Sequence, residues 1–314
     1  MSDLSRTDLA IARERIAPAI HHTPVMTCRA IDEVSRAELF FKCENFQKSG
    51  SFKARGATNA VFSLDDDTCR RGVATHSSGN HGQALARAAA ARDIPATIVM
   101  PETAPQPKID AVREYGAEVV FCEATNAARQ ASLVEVVART GAEFIPPYDD
   151  LRVIAGQASC AAELIEDVAD LDTLIAPIGG GGLISGTALT VAHYAPHIAV
   201  YAGEPVAADD AWRSLQTGQR CSNDAPVTIA DGLKASLGEI TWPIVRDHVH
   251  DIVRVDESAI ITAMRLIWQR MKIIVEPSCA VAVAAILSEP QHFVGRRVGV
   301  ILTGGNVDID NLPW

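Results

Sequence analysis

From Gly72 onward, short β-branched runs take turns with alanine-rich stretches, and this alternation restricts the fold more than any other feature of the chain. "GVATH" leads into "QALARAAAAR", "ATIVMP" into "PKIDAVREYGA", and "EVVFC" into "NAARQASLVEVVART". "TLIAPIGGGG" then precedes "LISGTALTVAHYA", "AVYAGEP" follows, and "RVGVILTGGN" comes last. Strands that alternate with helices predict parallel sheets covered on both faces, an α/β fold. The two adjacent prolines of "FIPPYDD", Phe144 to Asp150, are the best candidate for a crossing between domains.

Three polar or glycine-rich loops directly follow predicted strands: "SSGNHG" (Ser77 to Gly82), "GGGG" (Gly179 to Gly182) and "TGGN" (Thr303 to Asn306). In parallel α/β sheets ligands bind at the carboxyl ends of strands, so these loops are expected to share one site. Four glycines between a strand and a helix let backbone N–H groups turn around an anion, and the helix adds its positive end. A tight turn alone needs one or two glycines, so a phosphate cradle is favoured. No Lys-Ser/Thr pair follows and the spacing is not Gly-x-Gly-x-x-Gly, which excludes the common nucleotide loops. "SSGNHG" offers hydroxyls, an amide and an imidazole at a helix start, where carboxylates bind but where Ser and Asn also serve as caps. Lys53, in "NFQKSGSFKARGA", lies among small residues. It reads as a solvated loop lysine or as a desolvated amine able to form a Schiff base. An imine-forming lysine, a phosphate cradle and a carboxylate-binding helix end together suggest pyridoxal phosphate holding an amino acid.

Composition narrows the class. The 314 residues carry 39 acids against 28 bases, a formal net charge of -11, which argues against a nucleic-acid footprint or a polybasic membrane contact. Apolar runs such as Ala280 to Leu287 are too short to span a bilayer. The N-terminus reads as a helix with Ser or Asp caps rather than a signal peptide, so a cytoplasmic location is expected. Seven cysteines occur without a Cys-x-x-Cys pair; Cys43, Cys122, Cys160 and Cys279 sit in apolar stretches and are expected as reduced core residues.

The sequence resembles the serine racemase and threonine/serine dehydratase family of fold-type II pyridoxal-phosphate enzymes over nearly its whole length. "QKSGSFKARGA" is similar to the family's lysine motif, "SSGNHGQALA" to its substrate loop and "GGGGLISG" to its phosphate loop. "GEPVAADDA", "TIADGLK", "MKIIVEPSCAVAVAA" and "TGGN" are similar to its remaining signatures. The resemblance implies a tryptophan-synthase-β-like fold, two parallel-sheet α/β domains with the cofactor in the cleft between them. The large domain is expected from residues 1–65 and 150–314, the small one from 66–149, and the assembly as a homodimer. Lys53 becomes the Schiff-base lysine with Phe52 packed beside the cofactor. Asn80 is expected on the cofactor's 3-oxygen, and Gly179, Gly180, Gly181, Gly182 and Leu183 on its phosphate. Thr303 takes the place beside the pyridine nitrogen. A hydroxyl there donates to an unprotonated nitrogen, a weaker electron sink that suits elimination over transamination. Ser77, Ser78, Asn80 and His81 are expected at the substrate, with Ser78 on the face opposite Lys53. Glu204, the Ala208 carbonyl and Asp210 match the family's divalent-metal site, with hard oxygens suited to Mg²⁺, Mn²⁺ or Ca²⁺. Cys28 and Arg29 stand where mammalian racemases carry a Ser pair near their nucleotide site, so nucleotide activation is not carried over.

Arg129 opens a predicted helix, where the dipole gives a cation no advantage. In the racemase-like branch the matching arginine lies near the substrate, and a bidentate arginine suits a distal carboxylate. The expected reaction is therefore pyridoxal-phosphate-dependent β-elimination of a β-hydroxy amino acid, with 3-hydroxyaspartate placed above serine and threonine. Serine racemisation with side dehydratase activity is the alternative. β-Replacement and a silent amino-acid sensor fit the intact motifs less well.

Overall fold

The computed structural model describes residues 4–314. Its strands are β1 (Val25–Met26), β2 (Glu38–Cys43), β3 (Val73–His76), β4 (Ala96–Pro101) and β5 (Glu118–Cys122). They continue with β6 (Glu143–Phe144), β7 (Thr173–Pro177), β8 (Ala199–Pro205), β9 (Asp251–Val255) and β10 (Arg297–Leu302). Two sheets result, one ordered β1-β2-β10-β7-β8-β9 and the other β5-β4-β3-β6. β1 pairs antiparallel with β2; every other pairing is parallel. The fold is the α/β arrangement of two parallel sheets that the alternation predicts.

Side-chain alternation explains why helices cover both faces of the larger sheet. Phe41, Cys43 and Ile175 face a core shared with helices Glu257–Met271 and Pro277–Ser288. Leu174, Ala176 and Ile301 face the opposite core with helices Leu151–Asp167 and Gly182–Tyr194. Strands buried on both sides read as unbroken apolar runs, as in "TLIAP" of β7 and "ATIVMP" of β4. The N-terminal helix Arg6–Ile16 is capped by Ser5, which bonds Asp8 N while Asp8 returns a bond to Ser5 N. Cys43, Cys122, Cys160 and Cys279 are buried free thiols. Among the described residues, no helix is long and apolar enough to cross a membrane.

Parallel strands put their carboxyl ends on one side of each sheet. The loops after β2, β7, β8 and β10 therefore leave the large sheet together, and those after β3 and β6 leave the small one.

Candidate active site

The lysine loop is fastened to the loop after β10. Ser51 bridges Gly304, Phe52 N donates to Thr303 O at 3.0 Å, and Gly305 N donates to Gly50 O at 3.0 Å. These bonds set Thr303 beside Lys53, the first residue of helix Lys53–Phe62. Two positions on, fully buried Arg55 fixes that helix to its surroundings. Its guanidinium meets both oxygens of Glu44 (2.7 and 2.8 Å) and both oxygens of Glu163 (2.7 Å each). Lys42 Nζ adds a second cation, 2.8 Å from Glu163. Two buried cations against two buried carboxylates leave no uncompensated charge, and removing one member would strand its partners.

Lys53 is partly buried, and its Nζ donates to Pro147 O at 2.6 Å. Burial lowers its pKa to about 8 against the opposing pull of the Glu276 carboxylate. The amine is thus held close to its neutral, nucleophilic form. Burial also pushes the Glu276 carboxyl up to about 8, helped by Asp231. Glu276 Oε1 accepts from Asn80 Nδ2 at 2.8 Å, and Asn80 Oδ1 accepts from Asn306 Nδ2 at 2.9 Å. Asn80 and Asn306, on loops from different sheets, are thereby joined across the cleft.

The Ser77–Gly82 loop turns into helix Asn80–Ala91 with Gly79 as a cap that offers no side-chain bond. His81 is buried, and burial drops its pKa to about 3. Its Nε2 lies 3.0 Å from Ile145 O, so Nε2 carries the proton and Nδ1 keeps a lone pair with no partner among the described residues.

In the glycine loop, Gly181 alone has positive φ (+90°). A Cβ on Gly180 would stand 2.4 Å from the Tyr148 ring, one on Gly182 2.9 Å from Tyr148 Cβ, and one on Gly179 2.9 Å from Leu233 Cα. The tetrad therefore has a packing cause as well, and glycine count alone is weaker support for a phosphate than the turn argument makes it. The backbone supplies the stronger support. Every residue from Gly179 to Ile184 is buried, and none of their N–H groups donates to a protein acceptor among the described residues. Buried N–H groups without partners are rare, and here they gather at a helix N-terminus suited to an anion. The donor set fits the phosphate of pyridoxal phosphate.

Arg129 lies in the first turn of helix Asn126–Thr140. Its Nε is buried without a partner, and it forms no salt bridge among the described residues. It lies close enough to His76, the last residue of β3, to reinforce the lowering of that imidazole's pKa by burial. The guanidinium is thus near the end of the strand that leads into the Ser77–Gly82 loop.

The expected metal ligands are buried, Glu204 near the end of β8 and Asp210 at the start of helix Asp210–Thr217. Glu204 accepts from Ala211 N and Trp212 N at 2.9 and 2.8 Å, and Asp210 from Asn223 Nδ2 and Leu237 N at 2.6 and 2.9 Å. Among the described residues neither forms a salt bridge, whereas neighbouring Asp209 is held by Arg213 and Arg254. Burial raises Glu204 well above the carboxylate range and Asp210 to about 6. Among the described residues no three His, Cys, Asp or Glu side chains gather as a metal cage. Two carboxylates and the Ala208 carbonyl remain an oxygen set that suits a hard cation.

Sequence reasoning assigned no part to Glu276, Pro147 or Tyr148. The signal for Glu276 was a lone acid inside "IIVEPSCAV". Pro147 acts through its carbonyl and Tyr148 through its ring, neither of which residue type announces.

The site, at the carboxyl ends of two parallel sheets, defines a pyridoxal-phosphate enzyme of fold type II. The chain belongs to the pyridoxal-phosphate dependent enzyme family, whose profile it matches over residues 16–304. It is 53% identical to a beta-hydroxyaspartate dehydratase of Paracoccus denitrificans (strain Pd 1222), over 98% of each chain. It is 46% identical to serine racemase of Dictyostelium discoideum, over 99% of this chain and 98% of that one. The crystal structure of that racemase superposes with a TM-score of 0.92, covering 96% and 98% of the two chains. A pyridoxal 5'-phosphate-dependent aspartate racemase, 37% identical, superposes at 0.93 and covers 100% and 99%.

Proposed function

We propose that the chain dehydrates 3-hydroxyaspartate to iminosuccinate, which hydrolyses to oxaloacetate and ammonia. The observation that carries the choice of substrate is Arg129, near His76 at the end of β3, with its Nε buried without a partner and no salt bridge among the described residues. A β-carboxylate satisfies it, and serine and threonine have none. Likeness to a beta-hydroxyaspartate dehydratase and to an aspartate racemase supports a dicarboxylic ligand.

Bound pyridoxal phosphate supplies the electron sink that acidifies the substrate Cα proton. Gly179, Gly180, Gly181, Gly182 and Leu183 hold its phosphate by backbone N–H groups, Asn80 its 3-oxygen and Thr303 its ring nitrogen, with Phe52 beside it. The N–H groups at the start of helix Asn80–Ala91, those of Asn80 and His81 among them, bind the α-carboxylate together with the Ser77 and Ser78 hydroxyls. Lys53, held near neutrality, takes the Cα proton, and the β-hydroxyl takes up a proton and departs as water. Ser78 exchanges a proton on the opposite face, which gives access to the other enantiomer or to racemisation. Glu204, Asp210 and the Ala208 carbonyl hold a divalent cation, Mg²⁺ in first place, that discharges the two buried carboxylates. The catalytic unit comprises residues 1–65 and 150–314 with 66–149 closing over the substrate, in a cytoplasmic homodimer.

Serine racemisation with dehydratase activity is the second reading, favoured by the likeness to serine racemase. Rates of oxo-acid release from 3-hydroxyaspartate, serine and threonine separate the two. Faster release from hydroxyaspartate supports the first, and faster inversion of serine the second.

A further inference from the structure

The segment Pro146 to Asp150, which the sequence marks only as a crossing, touches Lys53, two glycines of the tetrad and the start of helix Thr241–His248. Pro147 O receives the Lys53 amine at 2.6 Å, and the Tyr148 ring lies against Gly180 and Gly182. Asp149 accepts three successive backbone N–H groups: Glu239 at 3.0 Å on Oδ2, Ile240 at 2.9 Å and Thr241 at 3.2 Å on Oδ1. Those groups open helix Thr241–His248, whose own N-cap, Ile240, has no side chain to cap it. Asp149 therefore caps this helix from far along the chain. The approach is close: a Cβ on Gly238 would stand 2.1 Å from Asp149.

The capped helix reaches the phosphate loop through one hydroxyl. Buried Thr241 Oγ1 accepts from Gly238 N at 2.8 Å and donates to Gly180 O at 2.8 Å. The Gly180 carbonyl and the Gly181 N–H belong to one planar trans peptide and point in opposite directions. Anchoring that carbonyl on Thr241 thus fixes the direction of the Gly181 N–H, away from the Thr241 hydroxyl. Packing of Tyr148 against Gly180 and Gly182 limits where this peptide can move, and the Thr241 bond sets its orientation.

We propose that Asp149 is a positioning residue for the cofactor phosphate, acting through Thr241 on the Gly180–Gly181 peptide. The inference rests on the reading of Gly179–Leu183 as the phosphate loop. Its test compares the dissociation constants of the purified chain for pyridoxal phosphate and for pyridoxal, which lacks the phosphate, with melting temperature recorded alongside. Asp149→Ala and Thr241→Val each weaken pyridoxal phosphate about tenfold and pyridoxal by less than about twofold. Thr241→Ser keeps the hydroxyl and retains affinity. The double variant loses no more than the weaker-binding single one, because both act on one chain of contacts. Asp150→Ala removes a neighbouring cap from helix Leu151–Asp167, which makes no hydrogen bond to Gly179–Leu183 among the described residues, and lowers the melting temperature without changing phosphate affinity. Unchanged affinity in Thr241→Val, equal losses for both ligands, or the same pattern in Asp150→Ala overturns the role of Asp149. A wild-type chain that binds both ligands equally removes the phosphate loop itself, and the inference with it.

Discussion

Glu276 should make the cofactor-free chain less stable as pH rises, and Glu276→Gln should remove that dependence. Burial and Asp231 lift this carboxyl from an ordinary 4.5 to about 8, against the hydrogen bond from Asn80. The folded chain therefore keeps a proton that the unfolded chain releases. A group raised in this way gives its full stabilisation below the unfolded value and loses it as pH climbs through the folded one. The full displacement corresponds to about 5 kcal/mol, and the part falling between pH 5.5 and 7.5 to about 2–3 kcal/mol. Glutamine keeps the shape and the bond to Asn80 but has no proton to lose. Glu204 and Asp210 are raised by the same cause and add a slope of the same sign. Lys53 is lowered, so its share falls as pH drops from 10.5 toward about 8, outside the window. The comparison is therefore between variant and wild type, by urea unfolding at both pH values in the presence of chelator. Wild type should lose about 2–3 kcal/mol more than Glu276→Gln. Parallel losses in the two proteins would refute the buried, protonated carboxyl.

Lys53→Ala should abolish turnover, and borohydride reduction of the wild-type holoenzyme should attach the cofactor to Lys53 in peptide maps; label on another lysine contradicts the assignment. Arg129→Ala should cost roughly 2–5 kcal/mol in kcat/KM for 3-hydroxyaspartate, because a carboxylate is left unpaired in a closed site. Serine turnover should change much less, and equal losses on both substrates would make Arg129 structural. Chelation should lower the melting temperature and Mg²⁺ or Mn²⁺ restore it, since an ion bound only to the folded chain stabilises it. Glu204→Gln should lose that response, and a melting temperature indifferent to chelator would leave Glu204 and Asp210 as a helix start.

Local pattern carried the architecture. β-Branched runs such as "TLIAP" and alanine-rich helices such as "QALARAAAAR" respond to propensity and burial that neighbouring residues already specify. Lys53 and the glycine tetrad stood out because their residue types are unusual in their settings. Glu276 did not, since its raised pKa comes from burial between chain segments remote in sequence. Asp149 was equally silent: the helix it caps begins at Thr241, and no local rule links the two. The tetrad was legible for an incomplete reason, since Tyr148 and Leu233 press on it from outside. Arg129 was odd as a cation at a helix start, but only the resemblance gave it a substrate role, because whether a guanidinium has a partner is decided by tertiary structure.

Incubating the purified holoenzyme with each stereoisomer of 3-hydroxyaspartate, serine and threonine, and following 2-oxo acid and ammonia, tests the central claim most directly. The account predicts oxaloacetate and ammonia in equal amounts from 3-hydroxyaspartate, with a higher kcat/KM than pyruvate from serine or 2-oxobutyrate from threonine. Serine inverted or dehydrated with a higher kcat/KM than hydroxyaspartate would contradict it.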